Sequence, residues 1–187
     1  MGYIYLYTGT GAGKTTNALG LALRSVGHKR KVIIIQFLKW WKNIGEYKIR
    51  KKLSPYYEIY QFGRPAWLKI KDGEKKIIKA GGKKFVVKSL TEIDKKLAEE
   101  AFKFAKKITK RKKPNLLILD EINLVLHWKL LDLKEVIKFL DSLPKKTNVV
   151  LTGRYAPKEL IKKADFVNEI KLIKMPKKFV TEKGIQY

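Results

Sequence analysis

Residues 8–16 read Thr8-Gly9-Thr10-Gly11-Ala12-Gly13-Lys14-Thr15-Thr16. An apolar run, Tyr3-Ile4-Tyr5-Leu6-Tyr7, precedes them, and Ala18-Leu19-Gly20-Leu21-Ala22-Leu23 follows. Strand, glycine-rich loop, then helix is the context of a phosphate-binding P-loop. Glycines let the backbone curl until successive N–H groups point inward at phosphate oxygens. In that motif the lysine, here Lys14, reaches the outer phosphates, and the next hydroxyl, here Thr15, ligates Mg²⁺. The nucleotide-binding expectation therefore covers Gly9, Thr10, Gly11, Ala12, Gly13, Lys14, Thr15 and Thr16. Thr8 stands where the usual pattern has glycine. The competing reading is a glycine-rich turn without a ligand; strand, Lys-Thr pair and helix all argue against it.

Working outward, apolar runs alternate with helical patterns. Val32-Ile33-Ile34-Ile35-Gln36-Phe37 and Leu116-Leu117-Ile118-Leu119-Asp120 read as strands covered on both faces. Asn148–Thr152 reads the same way, Glu58–Phe62 is a shorter strand, and Phe166–Ile170 a late or edge strand. Lys14–Val26 reads as a helix stopped by Gly27. Leu90, Ile93, Leu97, Ala101, Phe104, Ala105 and Ile108 recur at steps of three and four, a long amphipathic helix. Ser89 and Glu92 have capping-box spacing at its start. Leu133, Val136, Ile137 and Leu140 mark another helix, and Pro157 opens a short one. The alternation predicts an α/β chain in three layers, a RecA-like P-loop NTPase fold around a mainly parallel sheet. Residues 63–88 are expected to be one long irregular loop, functional or mobile.

The composition predicts one domain spanning residues 1–187, and the opening strand leaves no room for a signal peptide. No apolar run reaches the roughly 18 residues of a membrane span, so a cytoplasmic protein is expected. The chain has no cysteine, which removes disulfides, thiolate metal sites and a cysteine nucleophile. Its formal net charge is +26, and only six of 43 basic residues are arginine. Three readings of that charge stand: a polyanionic partner such as nucleic acid, a surface solvated by lysine, or an anionic small substrate or acidic protein partner. Spread along the chain and scarcity of bidentate arginine weigh against nucleic acid.

Asp120-Glu121 closes an apolar strand downstream of the loop, which is the pattern of a Walker B element holding Mg²⁺. A helix start carrying acidic residues is the alternative. Thr152-Gly153-Arg154 follows another strand at the edge where α/β ligands bind, so Arg154 could reach a phosphate or carboxylate, or be a solvated turn arginine. His28 and His127 have no carboxylate or serine at useful spacing.

Taken in order, these motifs resemble the P-loop ATP:corrinoid adenosyltransferases. The matching stretches are Tyr7–Thr16, Gly20–Arg24 with Val26-Gly27-His28, Gln36-Phe37-Leu38-Lys39, Gly45-Glu46 and Phe62-Gly63-Arg64-Pro65. Leu119–Asn123, Leu151–Arg154 with Ala156-Pro157, Ala164-Asp165 with Glu169, and Lys183-Gly184-Ile185 complete the series. The resemblance implies that Co(I) of a corrinoid attacks the 5′ carbon of ATP and expels triphosphate. Loop amides, Lys14 and Mg²⁺ would then stabilise the leaving group. It implies Thr15 and Glu121 as metal contacts, with Asp120 behind them. It implies Trp67 as an aromatic that crowds out the lower axial ligand of cobalt, against the alternative of a plug packing the loop on the sheet. It further implies a homodimer. With no cysteine and no flavin motif in the chain, the electron is expected from a separate reductase; an acidic flavoprotein suits the basic surface, as do corrinoids with free carboxylates. The rival activities are a nucleic-acid-stimulated RecA-like ATPase and a small-molecule kinase.

Overall fold

Nine strands, six α-helices and one short 3-10 helix (Ile49–Lys51) are described in the computed structural model, which covers residues 2–69, 77–80, 83–176 and 182–185. The chain runs β1 (Ile4–Thr8), α1 (Lys14–Gly27), β2 (Val32–Phe37), α2 (Gly45–Lys48) and β3 (Tyr57–Phe62). Next come β4 (Trp67–Lys69), β5 (Ile77–Ala80), β6 (Lys83–Ser89) and α3 (Glu92–Lys112). It closes with β7 (Leu116–Asp120), α4 (Ile122–His127), α5 (Leu133–Asp141), β8 (Asn148–Thr152), α6 (Lys158–Lys163) and β9 (Phe166–Glu169). Six strands form one sheet in the order β3-β2-β7-β8-β1-β9, and every pairing in it is parallel.

Side-chain alternation along the strands splits the core into two apolar layers. Ile33, Ile35, Phe37, Leu117, Leu119, Val149 and Leu151 face one side, where α3, α4, α5 and α6 pack. Val32, Ile34, Leu116, Ile118 and Val150 face the other, against Ala18 and Ala22 of α1. Both alanines are fully buried, so their small side chains bring α1 close to the sheet. The result is the expected three-layer α/β arrangement of a P-loop NTPase-like fold. Burial on both faces is why these strands read as unbroken apolar runs.

The order of strands makes the site. β8 lies between β1 and β7, so the loop after β1 and the carboxylates after β7 flank the end of β8. Parallel strands bring these loops to one carboxyl edge, where α/β proteins bind ligands.

Two expectations are corrected. Residues 63–88 are not one irregular loop: β4, β5 and β6 form a second sheet in the order β4-β6-β5, with β4·β6 parallel and β5·β6 antiparallel. Lysine and glycine mask the alternation there. The cap of α3 is Thr91 with Asp94, not Ser89 with Glu92. Ser89 is still paired in β6, so the helix starts after the strand releases the chain. Most of the tail after Pro176 lies outside the described residues.

Candidate active site

The loop of residues 8–13 leaves β1 and turns into α1 at Gly13. Gly9 is at φ 96°, and a Cβ there would meet Ile170 O at 2.4 Å. The loop is clamped at that point: Ile170 N–H donates to Thr8 O at 2.9 Å, and Gly11 N–H donates to Ile170 O at 2.8 Å. Thr10, Ala12 and Thr16 are exposed. Lys14 is buried, and its Nζ donates to Gly11 O at 2.5 Å. Burial lowers the Lys14 pKa and the Arg154 charge adds to this, while Glu121 and Asp120 pull the other way.

Asp120, 1% exposed, is the hub. Its Oδ1 accepts from Thr15 Oγ1 at 2.9 Å and from Thr152 Oγ1 at 2.6 Å. Its Oδ2 accepts from Gln36 Nε2 at 3.0 Å and from Lys39 Nζ at 2.6 Å. Lys39 Nζ also lies 3.3 Å from Thr15 Oγ1. Burial works to raise the Asp120 pKa, but the Lys39 charge and these hydrogen bonds hold it below the usual carboxylate range. Burial likewise opposes the Lys39 charge, and Asp120 and Glu121 outweigh it, so the ammonium is held above an ordinary lysine.

Glu121 sits at φ 67° and caps α4, its N–H donating to Thr152 Oγ1 at 3.0 Å. Burial and then the Asp120 charge push its carboxyl up, against the pull of Lys39, Lys14 and Arg154. The expectation put Asp120 behind Thr15 and Glu121; it is Asp120 that the Thr15 hydroxyl meets. Arg154 is exposed, and its charge acts on both Lys14 and Glu121. Trp67 opens β4, and its side chain lies outside the described residues.

Three participants carry no signal of their role in the sequence. Lys39 and Gln36 belong to a motif without an assigned task, and Thr152 reads only as the end of a strand. Nothing local marks them, because their partner Asp120 lies 81, 84 and 32 residues away. Asn123 follows the carboxylates and ties the loops together: its Nδ2 donates to Tyr7 O at 3.2 Å and Gly153 O at 3.1 Å. Among the described residues no group of three metal-ligating side chains of His, Cys, Asp or Glu comes together. None of the described helices is long and apolar enough to cross a membrane.

A glycine-rich loop at a strand–helix junction, the Thr15 hydroxyl on the Asp120 carboxylate and a ring of polar side chains are compatible with several nucleotide chemistries. Comparison with known proteins narrows them. The family model described as ATP:corrinoid adenosyltransferase BtuR/CobO/CobP matches residues 1–187. The corrinoid adenosyltransferase of Sinorhizobium sp is 32% identical over 177 residues, covering 94% of this chain and 74% of the relative. That of Escherichia coli K12 is 31% identical over 174 residues, 92% of this chain and 78% of the relative. Corrinoid adenosyltransferase CobA of Salmonella typhimurium LT2 is 30% identical with the same coverage. A match that begins before the phosphate loop and runs to the last residue makes this chain a member of the ATP:corrinoid adenosyltransferase family.

Proposed function

We propose that this protein transfers the 5′-deoxyadenosyl group of ATP to Co(I) of a corrinoid, in adenosylcobalamin synthesis or salvage. The observation that carries the reading is the family match over the whole chain, and the Lys14–Thr15 loop facing Asp120 supports it. Co(I) donates the electron pair of the new cobalt–carbon bond, the C5′–O bond breaks, and triphosphate leaves with that bond's electrons. No general base is required. The work left to the protein is to hold ATP in line and to receive growing negative charge on the leaving oxygen.

Gly9, Thr10, Gly11, Ala12, Gly13 and Thr16 supply the loop that cradles the triphosphate, and Lys14 and Arg154 supply positive charge to it. Lowered by burial, the Lys14 ammonium gains more from an arriving phosphate than a solvated lysine would. Oxygen donors suit a hard cation: Thr15 and Asp120 already hold a cationic ammonium between them, and Glu121 is the adjacent carboxylate. Thr15, Asp120 and Glu121 would therefore hold Mg²⁺. When bound, Mg²⁺ neutralises charge on the triphosphate as it departs.

In this reading Trp67 lies against the corrinoid and crowds its lower axial position. A separate flavoprotein reductase delivers the electron, since the chain carries no cysteine and no flavin-binding motif. Residues 1–187 act as one domain, in a cytoplasmic homodimer, with no need of nucleic acid.

The test is anaerobic incubation with MgATP and chemically reduced corrinoid. Light-sensitive adenosylcorrinoid with stoichiometric triphosphate is expected, and Lys14→Ala should reduce the rate at least a hundredfold, in line with losing a main charge stabiliser of the leaving group (~10²–10³). ADP with an unchanged corrinoid would instead identify a kinase. Phosphate release stimulated by nucleic acid would identify the RecA-like ATPase.

A further inference from the structure

We infer that Lys39 is a tethered cation: its ammonium holds the metal position between Thr15 and Asp120 while no nucleotide is bound, and yields it to the divalent metal that enters with ATP. This deepens the adenosyl-transfer reading and rests on the metal role proposed there.

Charge balance comes first. Asp120 is a buried carboxylate with three neutral donors, Thr15, Thr152 and Gln36, and one cation, Lys39 at 2.6 Å. Neutral donors leave the charge of a buried carboxylate uncompensated, so a cation is needed there in every state of the site. Lys14 does not fill that need, because its ammonium is turned to Gly11 O. Lys39 also touches Thr15 Oγ1 at 3.3 Å. One positive group thus spans the hydroxyl and the carboxylate that a P-loop protein uses for Mg²⁺.

The placement is built into the backbone. Leu38, a branched residue, sits at φ 59° at the exit of β2, a conformation that such residues adopt only when the surroundings impose it. That turn sends Lys39 back over the carboxyl edge of the sheet. Gly63 makes the turn possible from the other side: a Cβ there would lie 2.5 Å from Leu38 C and 2.6 Å from Lys39 N. Gln36 and Gln61 fix the strand just before the turn, with Gln61 Nε2 donating to Gln36 Oε1 at 2.9 Å.

An ammonium and a divalent metal repel each other and cannot share one carboxylate oxygen and one hydroxyl. A metal ion alone must therefore evict Lys39 and strand its charge. A metal carried by ATP brings the compensation with it, because the triphosphate offers the flexible Lys39 stem a new anionic partner. The device selects metal–nucleotide over free metal and keeps Asp120 and Thr15 in register before the nucleotide arrives. Lys39 is thus a positioning residue.

Mn²⁺ binding without nucleotide, followed by electron paramagnetic resonance, tests this directly. Lys39→Met should bind Mn²⁺ at least tenfold more tightly than the wild type, and Lys39→Arg should restore the exclusion. Equal affinity in wild type and Lys39→Met overturns the inference. A second measurement needs no variant. In ¹⁵N-lysine-labelled wild-type protein, the ion-paired Lys39 ammonium signal should shift on saturation with MgATP, and stay in place with millimolar Mg²⁺ alone. An unchanged signal at calorimetric saturation with MgATP overturns it, as does a shift with Mg²⁺ alone. Neither readout involves corrinoid. Metal exclusion without adenosyl transfer would refute the activity alone; transfer without metal exclusion would refute the role of Lys39 alone.

Discussion

Arg64 belongs to one of the stretches that carry the family resemblance, and its guanidinium is committed within the fold. Arg64 Nε and a terminal nitrogen each donate to the Asp94 carboxylate at 2.7 Å, and that terminal nitrogen also donates to Ser89 O at 2.7 Å. Asp94 is fully buried at the side chain and also accepts from Thr91 N–H at 2.9 Å, which caps α3. Burial works to raise the Asp94 carboxyl, but Arg64 and Thr91 outweigh it and hold it below its ordinary value. Breaking a buried pair leaves a charge unmatched, so Asp94→Asn should cost about 3 kcal/mol at neutral pH. The sign of the pH effect follows from the depressed pKa. The contribution is complete above the unfolded value, about 3.9, and is lost as pH falls through the lower folded value. Urea unfolding of both proteins at pH 7 and down the acid limb should show the gap closing only in acid; a gap independent of pH would rule out this pair as its source. Such a pairing is invisible in sequence because 30 residues separate the partners. The Lys14–Thr15 pair was legible for the opposite reason, since adjacent residues at a strand–loop–helix junction carry their geometry locally.

At the scale of elements, the parallel strands were legible because burial on both faces demands continuous apolar runs, and β2, β7 and β8 have them. β4 and β6 were not, because Trp67-Leu68-Lys69 and Lys83–Ser89 mix lysine with apolar residues and carry no clean period. Nor could the sequence show that the exits of β2 and β3 touch. Gly63, just after β3, is pressed against the Leu38 turn, so glycine is needed there for space. Gly63→Ala should cost about 1–3 kcal/mol, the range for forced overpacking, and weaken MgATP binding by displacing Lys39. Gly20 is the contrast. It lies exposed within α1, and a methyl group added there would meet nothing within 4 Å, so Gly20→Ala should stabilise the protein by about 0.5–1 kcal/mol through helix propensity. Thermal and urea unfolding of the two variants side by side decide it. Loss of stability in both would mean that α1 packs on something further, and a neutral Gly63→Ala would mean that the Leu38 turn is free to move.

For the molecule as a whole, the +26 charge was visible at once and its consequence depends on where it sits. The apolar stripe of α3 is buried at Ala98, Ala101, Ala105 and Ile108, while Lys95, Lys96, Lys103, Lys106 and Lys107 face solvent. Its last turn adds Lys110, Arg111 and Lys112, where positive charge meets the negative end of the helix dipole. Lys112 is further paired with Glu58 at 2.6 Å. With 43 basic and 17 acidic residues, however, local pairing cannot neutralise the surface. Uncompensated like charges raise the free energy of the folded state, and added salt screens them within a Debye length, about 10 Å at 0.1 M. Raising NaCl from about 0.01 M to 0.3 M should therefore raise the melting temperature by several degrees. If the proposed reductase presents an acidic face, or the corrinoid carries free carboxylates, the same screening should slow the one encounter and raise the Michaelis constant for the other. Salt thus pushes stability and association in opposite directions, which separates charge repulsion within the fold from attraction of a partner. A melting temperature indifferent to salt would show that the basic residues are compensated where they stand. A salt-dependent melting temperature with unchanged association would leave the charge a matter of solvation alone, with no role in drawing an anionic partner to the site.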